Sequence, residues 1–183
     1  TYYDEPGRGS LARDGGGVLI SQGIHTLDLM LSLAGRIDTV SGFAVTTPVH
    51  RMETEDMVCA AARFANGAIG TIDATTAAYP GFHEEIALTG TVGTLALRGG
   101  TLLAQFHDGS VERVEADTGA GGTGADPMAF PHDWHRAVMA DFAEAIATGR
   151  EPRVTGEEAL RVHRLIDALI ATGASGQPVQ VSP

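Results

Sequence analysis

Apolar side chains recur at Leu19, Ile20, Ile24, Leu27, Met30, Leu31 and Ala34, the spacing of an amphipathic helix over 16–34, and Gly35 stops it. Beyond that glycine the period shortens. Segments 39–47, 57–64, 68–77, 85–88, 94–97, 102–106 and 111–114 are short and rich in Val, Ile, Thr and Phe, which predicts strands. Turn signals separate them at Ala65-Asn66-Gly67, Pro80-Gly81, Gly99-Gly100 and Asp108-Gly109. Links this brief join antiparallel neighbours, because parallel strands need a long crossover.

Two further helices come after a Gly-rich loop at 117–126. In the first, Trp134, Val138, Phe142 and Ile146 share one stripe, with Met139 and Ala143 beside it. The second starts at a capping box, Thr155 with Glu158 three residues on. Its stripe is Leu160, Val162, Leu165, Ile166, Leu169 and Ile170, with Gly173 expected past its end and a short edge strand at 179–181. The order of one helix, about seven strands and two helices predicts an α+β fold. Its sheet is largely antiparallel and open, with helices packed on one face. The outer side of 57–64 and 68–77 carries Thr and small residues rather than charges. That suits an oligomer surface, or equally a face covered by the chain's own loops.

Composition narrows the function classes. A chain of 183 residues with 43% hydrophobic and 19% charged content is globular, and we read 1–183 as a single domain. The chain opens on Thr1-Tyr2-Tyr3-Asp4 with no initiator Met, so we expect a fragment of something longer. A net charge of −11 repels phosphate backbones and anionic lipid, which argues against nucleic acid and membrane as partners. No uninterrupted apolar run reaches the roughly 18 residues of a membrane span, and no signal peptide opens the chain. The single Cys59 excludes an internal disulfide; it sits in the apolar run Met57-Val58-Cys59-Ala60-Ala61, where a buried hydrophobe is expected. Together these point to the cytoplasm.

Several patterns invite a chemical reading and fail it. Gly119-Ala120-Gly121-Gly122-Thr123-Gly124 spells a dinucleotide fingerprint, but Pro127 and Pro131 interrupt the residues after it and no second strand comes next. His132 and His135 stand three apart without a third ligand at helical spacing, so no metal is expected. His50 with Glu53, Glu55 and Asp56 reads as a solvated acidic loop. No nucleophile elbow is present to support a hydrolase. His25 differs. It lies beyond Gly15-Gly16-Gly17, where backbone can come close to a partner, and Ser21 and Asp28 lie near it on a helix. Asp28 could hold an imidazole tautomer while His25 exchanges a proton with a hydroxyl or carbonyl. On spacing alone the favoured reading is a packing histidine, with Asp28 capping a neighbouring loop.

The chain resembles the C-terminal domain of the Gfo/Idh/MocA oxidoreductases nearly end to end. The resemblance rests on Tyr2-Tyr3 with Arg8-Gly9-Ser10, on the signature running from Gly15 through His25 and Asp28 to Leu29, and on Glu55-Asp56 with Phe64-Ala65-Asn66-Gly67-Ala68-Ile69-Gly70. It rests also on His135, Asp141-Phe142, Ala145-Ile146 and Gly149-Arg150-Glu151-Pro152. It implies a fold like the C-terminal domain of dihydrodipicolinate reductase. It further implies a missing N-terminal Rossmann domain that binds NAD or NADP, and a homo-oligomer built through the open sheet face. The implied reaction moves a hydride between nicotinamide and a sugar, polyol or related hydroxy compound. By position, His25 would be the acid/base, and His135, Arg8 and Tyr79 would contact substrate. Many members carry Asp where this chain has Ser21, and others Asn; serine cannot charge the imidazole's neighbourhood. A non-catalytic binding or scaffold module that keeps the fold is the alternative.

Overall fold

The computed structural model describes residues 3, 7–115 and 132–182. In chain order the elements are α1 (Leu11–Asp14), a π-helical turn (Leu19–Gly23), α2 (Ile24–Ala34), β1 (Ile37–Val45), β2 (Met57–Phe64), β3 (Ile69–Thr75), β4 (Glu85–Thr89), β5 (Gly93–Arg98), β6 (Thr101–Phe106), β7 (Val111–Glu115), α3 (Asp133–Thr148), α4 (Gly156–Ser175) and β8 (Val179–Gln180). The Gly119–Gly124 stretch lies outside the described residues. The elements fall into two compact units, Thr1–Phe82 with Gly156–Pro183, and His83–Thr155. Each carries its own four-stranded antiparallel sheet, where the sequence led us to expect one.

The first unit holds a sheet of order β3-β2-β1-β8. Its register opposes Val40 to Ala62 and Ala60 to Ile72, so the inward positions of three strands line up across the sheet. Val40, Val58, Ala60, Ala62, Phe64 and Ile72 make the buried face. Val162, Leu165, Ile166 and Leu169 of α4 complete the core with Leu19 and Leu27 from the π-turn and α2. The hydroxyl of Thr172 donates to the carbonyl of Gln177 at 2.6 Å and accepts the amide of Gly42 at 3.3 Å, tying the end of α4 to β1.

Two readings of single residues change here. Cys59 is exposed, because the period of two that buries Val58 and Ala60 turns it to the outer face. Gly173 lies inside α4, not beyond it: a Cβ there would stand 2.6 Å from the amide nitrogen of Ala44, so close approach to β1 demands glycine. The helix ends instead before Gly176, whose φ of 66° suits a glycine.

Among the described residues, Leu11–Ala34 is one stretch long and apolar enough, on those measures alone, to cross a membrane, which the count of unbroken apolar runs did not foresee. Gly15 at φ 75° interrupts it. Beyond that break, the 5-residue π-turn and 11-residue α2 rise roughly 24 Å, short of the ~30 Å hydrocarbon core.

The second unit is a meander of order β4-β5-β6-β7, with α3 next in sequence. The stripe of α3 predicted from spacing is present, and Trp134, Val138, Phe142 and Ile146 are exposed in this chain. Asp141 explains the run Gly149–Pro152 after the helix. Its carboxylate accepts the amide of Arg153 at 2.8 Å and the Arg150 guanidinium at 2.8 Å, and those two bonds, in that order, hold its pKa below the ordinary value.

Candidate functional site

The glycine run is a hinge between α1 and the helix that carries His25. Gly15 takes the left-handed conformation that ends α1, its amide returning to the carbonyl of Leu11. Gly17 is required for a different reason: a Cβ on it would lie 1.8 Å from the backbone oxygen of Glu55. At that close approach, three successive amides turn to one residue. Gly17 N–H donates to Glu55 Oε2 at 3.1 Å, Val18 N–H to the Glu55 carbonyl at 2.9 Å, and Leu19 N–H to Glu55 Oε1 at 3.1 Å. A helix leaves its first amides without partners inside it, and a carboxylate there also meets the positive end of the helix dipole.

The π-turn comes at once. Both the amide and the hydroxyl of Ser21 donate to the carbonyl of Gly17, at 3.0 and 2.7 Å. Ser21 is thus bonded back along the helix. His25 stands on the first turn of α2 with its side chain in solvent, and Asp28 is exposed one turn on. Among the described residues the side chains of His25 and Asp28 make no hydrogen bond or ion pair, with each other or with a third group. What the local structure supplies is an exposed histidine on a helix whose start is fixed. A π-turn at such a position is a frequent companion of functional sites.

The acidic loop expected in solvent is buried at its strand end, while Glu53 is exposed. Glu55 is 9% and Asp56 0% exposed, and Thr54 is buried beside them. Asp56 Oδ1 accepts the amide of Thr47 at 2.6 Å, and Oδ2 accepts the Thr47 hydroxyl at 2.8 Å with His50 Nδ1 2.7 Å from the same oxygen. Burial acts to raise its pKa; the Thr47 and His50 contacts outweigh that and lower it. The Tyr3 ring meets His50 edge-on at 4.9 Å. A charge can be buried here because its oxygens find donors. The signal was in the sequence: an acidic dipeptide directly ahead of the alternating strand Met57–Phe64 enters the core with it.

Arg8 and Tyr79 stand apart from His25 in character. Arg8 is half-buried with Nη1 3.6 Å from Asp14, while Tyr79 is 95% exposed. His135 is exposed on α3 of the second unit. A groove of about 630 Å³ in the first unit runs past Gly15, Gly16, Ile20, Ile166 and Ile170, and His25 does not line it. Among the described residues no three His, Cys, Asp or Glu side chains gather to hold a metal ion.

The glycine run, the helix start and the Glu55-Asp56 strand entry all fall within one profile match. Residues 2–96 match the GFO/IDH/MocA C-terminal domain. The chain belongs to that family. It is 26% identical over 185 residues to an uncharacterized oxidoreductase, YrbE, of Bacillus subtilis, covering 97% of this chain and 52% of that protein. Among solved structures it is similar to the WlbA dehydrogenase of Bordetella pertussis, determined with NADH and UDP-GlcNAcA, at 24% identity and TM-score 0.74, over 100% of this chain and 50% of that one. Levoglucosan dehydrogenase, determined with NADH and levoglucosan, matches at 23% identity and TM-score 0.77, over 96% of this chain and 53% of that one. At these identities the structures establish a shared fold. The chain spans about half the length of the relatives it matches.

Proposed function

We propose that this chain is the substrate-binding and oligomerisation part of an NAD(P)-dependent oxidoreductase that moves a hydride between nicotinamide and a sugar, polyol or related hydroxy compound. The observation that carries the reading is His25, exposed on a helix whose start is locked by the glycine run, in a member of an oxidoreductase family. Relatives determined with NADH and sugar-like compounds support the substrate class. Among the described residues every strand pairing is antiparallel, so none forms a strand–helix cradle for a dinucleotide. We therefore assign this chain the substrate side only, and expect the chain by itself to be inactive.

On that side His25 has one task. As hydride leaves the carbon, the imidazole takes the hydroxyl proton, so that no cationic carbon forms; in the reverse direction it returns the proton. His135, Arg8 and Tyr79 are assigned as substrate contacts. The outer face of the first sheet is assigned to a second copy of the chain, and the protein to the cytoplasm, with neither nucleic acid nor membrane as partner.

The whole protein is to be assayed with NAD⁺ and with NADP⁺ against a panel of sugars, polyols and hydroxy acids, by the absorbance of the reduced nicotinamide. Reduction with at least one compound is expected. No reduction across the panel contradicts the reading and favours a non-catalytic module, the alternative that Ser21 motivates. Calorimetric titration of NADH and NADPH into this chain alone should give no stoichiometric binding.

A further inference from the structure

The Glu55 contacts do more than close a loop. Three consecutive amides, Gly17, Val18 and Leu19, are taken by the two carboxylate oxygens and the backbone carbonyl of this one residue. Glu55 itself belongs to the strand entry, where Asp56 next to it is buried and bonded to Thr47 and His50. The start of the helix is thus pinned to the sheet. Further along, Leu27 is pinned independently by the core. Between the two anchors lies the π-turn Leu19–Gly23, which takes in one residue more than an α-turn would. His25 comes directly after it, within the first turn of α2.

We propose that Glu55 is the positioning residue for His25. The inference rests on His25 being the acid/base. By fixing the helix start one residue out of phase with the core-packed turn downstream, the clasp holds the π-turn in place and sets the direction in which the imidazole is presented. Released from Glu55, the extra residue can be expelled. The helix around it then rotates by roughly 100° per residue gained or lost, and the imidazole is carried off the line of the substrate hydroxyl. Gly17 is glycine for the same reason, since any Cβ would push the clasp open.

The test is made in the whole protein with E55Q, E55A and H25A. E55Q keeps the size and one acceptor oxygen but sets an NH2 group against one of the amides; E55A removes both oxygens, and if it fails to fold, E55Q decides. In E55Q the kcat should fall by about 10- to 100-fold at a temperature well below its Tm, the scale expected of a misplaced catalytic group. The KM for nicotinamide should be unchanged, and hydrogen exchange should quicken in peptides covering 17–23. A structural role alone would lower the folded fraction and leave kcat per folded molecule as it was. That result overturns the proposal, as does an unchanged kcat in E55Q when H25A is impaired. Full activity in H25A overturns the underlying reading of His25 and the proposal with it, and is separable from the other failures because it does not involve Glu55.

Discussion

At the scale of single residues, Asp56 shows how a buried charge is kept. Its carboxylate has three donors, two from Thr47 and one from His50, and no exposure. D56N leaves at least one of those donors facing an amide nitrogen, and should cost about 2–3 kcal/mol near neutral pH. The pH dependence has a definite sign. The folded-state pKa lies below the ordinary carboxylate value of 3.8, so the stabilisation is complete above that value and is lost as pH falls through the folded pKa. Thermal melts of both proteins from pH 7 to pH 2 should therefore show the gap between wild type and D56N narrowing only below about pH 4. A gap that closes already near neutral pH would contradict this assignment. His25 was legible from the sequence as a candidate, because its position after three glycines marks a helix start. Glu55 and Asp56 were misread, because three acidic residues within four positions carry the composition of a solvated loop, and that composition outweighed their place directly ahead of a strand. Only the pairing of Val45 with Met57 across β1 and β2 brings that loop back against the glycine run.

At the scale of elements, periodicity predicted the strands to within about two residues. β2 is found as predicted at Met57–Phe64, because alternation is forced where one sheet face is buried. What periodicity could not supply was which face of β2 a neighbour covers, so Cys59 was placed inside. Nor could it supply the distance between elements. Gly173 in α4 carries the usual mark of a helix end, yet its role is to let the helix approach Ala44. G173A sets two effects against each other. Alanine favours helix by about 1 kcal/mol, while a Cβ 2.6 Å from a backbone nitrogen forces helix and sheet apart, at a cost of roughly 1–3 kcal/mol. The clash wins because both partners are backbone. Denaturant titration should show a lower midpoint in G173A; a higher one would mean that helix propensity decides.

At the scale of the whole molecule, the outer face of the first sheet carries Phe43 at 71% and Ile69 at 78% exposure, with Val45, Cys59 and Ala61 on the same face; contrary to the charge-free face expected from the sequence, exposed Arg63 lies opposite Ile69 and exposed Asp73 opposite Cys59. An apolar patch on an open sheet is expected to be covered in the assembled protein, and a second copy of the same face is the simplest cover. Sedimentation at micromolar concentration should give a dimer for the wild type and a monomer for F43E, whose buried carboxylates would oppose one another across such an interface. A wild-type monomer would remove the face from the assembly.

Across the scales, we propose that a helix start locked by a sheet loop presents His25 as the proton acceptor of an oxidoreductase. The most direct measurement is kcat for wild type and H25A in the whole protein, in the direction of alcohol oxidation, with the folded fraction of each taken from its thermal melt. H25A should lose about 10²- to 10⁴-fold in kcat per folded molecule. An H25A protein with wild-type kcat would contradict the assignment of His25.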